Sequence, residues 1–143
     1  MGGPCDRAMA RLVRVEASHN RWGHFFGNGQ GGPFSAQLLL MHPSQYGAVL
    51  NHTWNAGCHA PGVTLTLCYD APVTVLKLCP SMKPAEGFVG LVVVLENAGR
   101  IAHRTLWRES EWVTIEIPTP SSELRIEFME SPSWIALHAV DAS

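Results

Sequence analysis

From Glu123 to Phe128 the chain reads ELRIEF, charged and apolar residues in strict alternation. Side chains of an extended strand point to opposite faces with period two. Glu123, Arg125 and Glu127 therefore share one face, and Leu124, Ile126 and Phe128 the other. Such a segment needs a second layer over its apolar face. The pattern recurs along the chain. VTLTLCY puts Val63, Leu65, Leu67 and Tyr69 on one face. After Asp70-Ala71-Pro72 come VTVLKL, FVGLVVVL, IAHRTLW, WVTIEI, ELRIEFM and WIALHAVD, while RLVRVEA lies near the start. Clusters of Pro, Gly, Ser or Asn divide most of these short runs. Short alternating strands at regular spacing predict an all-β fold, an antiparallel β-sandwich of jelly-roll type.

No amphipathic helix of useful length interrupts this pattern. SAQLLLMH (35–42) reads as a short helix or a strand. Residues 17–62 otherwise read as long loops, and loops of that length in a compact fold are often functional. At 143 residues, with no repeat or linker, the expectation is a single domain over 1–143, with residues 1–10 as a tail.

Charge is unevenly spread. Between Ala17 and Tyr69 there is no Asp or Glu, one arginine (Arg21) and five histidines: His19, His24, His42, His52 and His59. Charged residues make up only 15% of the chain, which leaves a surface of neutral polar groups suited to a neutral ligand or a protein. No basic run exists to track phosphates, so nucleic acid is not the expected partner. The longest apolar run, Leu91 to Leu95, is too short to span a bilayer, and membrane insertion is not expected. Residues 1–16 lack the apolar stretch of a secretory signal. The expectation is a cytoplasmic protein with Cys5, Cys58, Cys68 and Cys79 as free thiols; export by another route would allow two disulfides in three pairings.

The sharp motifs fail in context. Gly27, Gly29 and Gly32 have the G-x-G-x-x-G spacing of a dinucleotide turn, which also needs a helix after it and an acid about 20 residues on. No acid occurs between Gly32 and Asp70. No G-K-[ST] follows, so a P-loop is excluded. His52, Cys58 and His59 are the best cluster of zinc-type ligands, but no matched second pair accompanies them. No nucleophile elbow is present. Glu116, Glu123 and Glu127 fall on alternating, solvated strand faces rather than forming a carboxylate pair. Catalysis is not expected.

The remaining signal is aromatic. Trp22, Phe25, Phe26, Phe34 and Trp54 all lie in the acid-free window. A sugar ring stacks its apolar face on an aromatic side chain while its hydroxyls bond Asn, Gln, His and Arg. RWGHFFGNGQ (21–30) supplies both kinds of group. Trp54 reads better as a residue that closes the end of the sandwich, and Trp107, Trp112 and Trp134 as core or rim packing.

Several segments also resemble the discoidin, or coagulation factor 5/8 type C, family. SQYGAVLNHTWNAG (44–57) is similar to the family segment in which an apolar residue and Asp-Gly precede a Thr-x-Trp. VTLTLCYDAPVTVLKLCPS and GLVVVLENAGR resemble its middle strands, and WVTIEIP with LRIEFMESPSWIALHAVDA its closing strands. The resemblance spans about residues 12–142. It implies a galactose-binding-like jelly roll that binds sugars, phospholipid headgroups or proteins through loops at one end. The family's calcium-associated Asp-Gly is replaced here by Asn51-His52, so calcium, which prefers several oxygen ligands, is not expected as a cofactor. The resulting expectation is a non-catalytic carbohydrate-binding module, with Arg21, Trp22, His24, Phe25, Phe26, Asn28 and Lys83 at the ligand. The alternative is a cytosolic protein-interaction subunit using the same loops. Homo-oligomers would add avidity to weak single sites.

Overall fold

A computed structural model describes residues 10–19, 36–40, 54–81, 86–95 and 99–143. Its strands are β1 (Leu12–Ala17), β2 (Trp54–Asn55), β3 (Val63–Pro80), β4 (Gly87–Leu95), β5 (Arg100–Trp107), β6 (Val113–Glu130) and β7 (Ala136–Ala142). All pairings are antiparallel. The ambiguous stretch around Leu39 is a 3-10 turn, Ala36–Leu40, packed against β1, β2 and β7.

The sandwich is organised by two long strands. β3 runs beside β6 for its whole length, from Val63 opposite Phe128 to Leu78 opposite Val113. The alternation predicted two short strands in each of these places, parted by Asp70-Ala71-Pro72 and by the segment around Pro118 and Pro120. In the structure the ladder continues, but its register slips between Cys68 and Val75. Proline has no N–H to give a ladder, so these residues fall where pairing lapses and both strands bend. Thr74 and Val75 donate their N–H groups to the Ser143 carbonyl instead, at 2.7 and 3.0 Å.

The bend divides the pairings between two layers. Residues 63–69 of β3 and 123–130 of β6 belong to a five-stranded layer, β1-β3-β6-β4-β5. Residues 75–80 and 113–116 belong to a second layer, β2-β7-β3-β6. The predicted inward residues Val63, Leu65, Leu67, Leu124, Ile126 and Phe128 fill the space between them from one layer, and Leu76, Leu78, Ile115 and Leu137 fill it from the other. Each such aliphatic side chain contributes about 1.5–3 kcal/mol on burial. Phe128 joins the layers. Its ring lies 6.2 Å from that of Trp54 on β2 and 5.9 Å, edge-on, from that of Trp107 on β5.

Folding β3 and β6 over in this way gives the sandwich two unlike ends. At one end, the corner end, lie the two bends, the start of β1, the turn closed by Leu95 N–H on the Gly99 carbonyl, and Ser143. At the other, the connection end, lie the end of β1, all of β2, the start and finish of β3, the start of β4, the end of β5, and the passages from β5 to β6 and from β6 to β7.

Candidate functional site

The connection end is the place where the chain departs from regular pairing most often, so it is where a ligand surface can be built. Its base is rigid. Trp54 is fully buried, as its reading as an end-closing residue requires, and its indole N–H donates to the His19 carbonyl at 3.0 Å. Ser18 Oγ accepts from the Thr64 N–H at 2.8 Å and lies 2.7 Å from His19 Nδ1. The chain that leaves β1 at His19 is thus fastened to the core.

The passages between strands are pinned to one another. Ile135 exchanges backbone hydrogen bonds with Ala56 and Cys58, and the Ala60 N–H donates to Ser131 Oγ at 3.0 Å. Gly62 carries a φ of 104°, a conformation that L side chains rarely adopt, immediately before β3. Gly87 meets Pro132 so closely that a Cβ there would stand 2.7 Å from the ring's Cγ. The β5–β6 passage is held at three points. Arg108 bonds Glu86 at 3.1 Å, the Ser110 N–H bonds the Pro80 carbonyl at 2.9 Å, and Glu109 lies 3.8 Å from His138 Nε2 on β7. Ser110 takes a φ of 66°, uncommon for a residue with a side chain.

Among the described residues, two tryptophans stand out from this end. Trp112, in the β5–β6 passage, is 42% exposed, and Trp134, in the β6–β7 passage, is 38% exposed. Trp107, by contrast, is core. The strand pattern left Trp107, Trp112 and Trp134 as core or rim packing without telling them apart, and it did not show that Trp112 and Trp134 project at the same end, which depends on the doubling back of β3 and β6.

Arg21, Trp22, His24, Phe25, Phe26, Asn28 and Lys83 lie outside the described residues. Their described neighbours in the chain, His19 on one side and Ser81 and Glu86 on the other, are all at the connection end.

Burial pushes the thiols of Cys58 and Cys79 up, that of Cys79 to about 11, so both stay protonated near neutral pH. Among the described residues no group of three or more His, Cys, Asp or Glu is gathered to hold a metal ion. His59 and Cys58 are described and His52 is not. Among the described residues, two buried polar atoms have no hydrogen-bond partner, the Tyr69 hydroxyl and the Trp107 indole N–H. Tyr69 sits at the bend of β3 and Trp107 at the end of β5, at opposite poles of the sandwich, so they do not form one site.

No family model and no curated protein matches the chain. Solved structures do. It is similar to the family 32 CBM from C. perfringens NanJ in complex with galactose, at 13% identity and a TM-score of 0.59, covering 90% of this chain and 91% of that one. It is similar to the CBM32 of AlyQ in complex with 4,5-unsaturated mannuronic acid, at 13% identity and a TM-score of 0.63, over 95% and 98% of the two chains. A third is chitosan-binding module 1 from a chitosanase/glucanase of Paenibacillus sp. IK-5, at 12% identity and a TM-score of 0.60, over 94% and 96%. At these identities the likeness establishes the fold. The chain is a galactose-binding-like β-sandwich jelly roll, the fold that the discoidin resemblance implies.

Proposed function

We propose that this protein is a non-catalytic carbohydrate-binding module whose ligand surface is the connection end. The observation that carries this reading is the exposure of Trp134 on a passage fixed to both layers. A half-exposed indole on a rigid support offers a flat apolar platform at little entropic cost. The same end also carries the His138–Glu109 pair and the backbone of the β5–β6 passage, groups that donate and accept in fixed directions. Sugars have been seen in the NanJ and AlyQ modules of this fold, which supports a sugar in preference to other neutral ligands. Arg21, Trp22, His24, Phe25, Phe26, Asn28 and Lys83 are kept in this reading as the candidates for further sugar contacts, on the chemistry of their side chains.

A glycan array probed with the purified protein tests the reading. Binding to a defined set of glycans is expected. Trp134→Ala should weaken the best hit at least tenfold, roughly 1.4 kcal/mol, with the unfolding midpoint little changed because the side chain is not part of the core. A silent array, together with one stoichiometric protein partner lost in the same variant, would move the assignment to a protein-interaction module.

A further inference from the structure

We infer that the connection end holds a run of linked sugar units across two tryptophan platforms, Trp134 and Trp112, and not a single terminal sugar. The inference rests on the carbohydrate reading above and names the form of ligand that the same end takes.

The registers of β6 and β7 place the two indoles. Val113, Ile115 and Ile117 of β6 are buried, so Thr114, Glu116 and, one step before the strand, Trp112 face outward. On the approach to β7, Ile135 and Leu137 join the core, and Trp134 faces away from it. Both tryptophans therefore stand on the outer side of the second layer. β3 runs between them. Leu78 is opposite Val113 on one side and Val140 on the other. The strands that bear the tryptophans are thus two inter-strand spacings apart, roughly 10 Å. They are further offset along the strand direction, because Trp112 is next to Val113 whereas Trp134 lies six residues before Val140. One sugar ring does not span that gap.

The space between the platforms is polar. The β5–β6 passage crosses it, held by the Ser110 N–H on the Pro80 carbonyl and by Glu109 beside His138. Under it, Cys79 and Ala139 are paired across β3 and β7 and are buried. Between the two indoles this face thus carries the Glu109 carboxylate, the His138 imidazole and the backbone of the passage. A sugar chain presents the matching order, with flat apolar ring faces separated by hydroxyl-bearing edges. Phe88 is exposed too, but it lies under the Arg104 guanidinium, 4.4 Å from its ring centre, on the other layer. It is not part of this arrangement.

The test is titration calorimetry with monosaccharides and with β-1,4-linked oligomers of two to six units of glucose, galactose, N-acetylglucosamine and glucosamine. For the sugar that binds, affinity should rise at least tenfold from the monosaccharide to the tetramer. Trp112→Ala should remove most of that rise, costing the tetramer about tenfold and the monosaccharide less than twofold, while Trp112→Phe restores part of it. Phe88→Ala should change neither. Equal affinity for monosaccharide and tetramer would overturn the chain reading and leave the sugar-binding reading standing. Equal losses for both ligands in Trp112→Ala would overturn it as well. No binding of any probe, with a silent glycan array, would remove both readings.

Discussion

The two broad faces of the sandwich handle charge differently. On the outer face of the five-stranded layer, four arginines and four glutamates are all paired: Arg14 with Glu16 and Glu123, Arg100 and Arg125 with Glu127, and Arg104 with Glu130. Even the exposed ring of Phe88 is capped, by Arg104. Toward the connection end, Glu86 and Glu111 pair with Arg108, and Glu109 lies beside His138. Trp112 and Trp134 are exposed there. A face whose charges satisfy one another has little left to offer a ligand. The end that exposes the two tryptophans is the one the connections converge on.

Three perturbations sharpen this contrast. The largest is Phe128→Ala, which removes the ring that joins both layers. It should cost about 3–5 kcal/mol and lower the thermal midpoint of the whole molecule; a midpoint within a degree or two of wild type would mean that the layers do not depend on one another. Next is Gly87→Ala. The added methyl must displace the Pro132 ring, with a cost of about 1–3 kcal/mol. Because Pro132 and Trp134 share one short passage, sugar affinity should fall with it, and intact affinity at reduced stability would show that the platform is set by other contacts.

The smallest effect belongs to the paired face. The Arg100 guanidinium, bonding at 2.7 Å, and then Arg125 hold the Glu127 carboxyl below its ordinary value. A depressed carboxylate contributes stability that is fully present above its unfolded pKa, about 4.3, and is lost as pH falls through the lower folded value. Wild type should therefore lose more stability than Glu127→Gln as pH falls below about 4.3 in parallel denaturant titrations, with sugar binding at neutral pH the same in both. Identical acid profiles would show that this ion pair adds nothing.

Much of the fold could be read from the residues because alternation reports directly on which side is covered. Glu123, Arg125 and Glu127 are outward and Leu124, Ile126 and Phe128 inward, as ELRIEF requires. What alternation does not carry is continuity through a proline. Pro72 reads as a break, yet the pairing of β3 with β6 resumes beyond it, because a strand may bend where it cannot bond. The candidate site was legible only in part for a related reason. In the sequence Trp112 and Trp134 read only as core or rim packing of separate strands, as Trp107 does, and their common end is a property of the long β3–β6 ladder, which brings residues far apart in sequence to the same pole. The aromatic loop at 21–34 stands out by composition, and its expected role rests on the anchored residues beside it.

The corner end has its own consequence. Ala10 leads into a strand whose first turn is tied there, by the Arg11 N–H on Asp70 at 2.8 Å, and Ser143 is bonded to Thr74 and Val75 at the same pole. Both ends of the described chain thus leave from the side opposite Trp112 and Trp134. A tether, a label or a neighbouring copy joined at Ser143 would leave the tryptophans pointing outward. A molecule held at Ser143 would keep the connection end toward the solution.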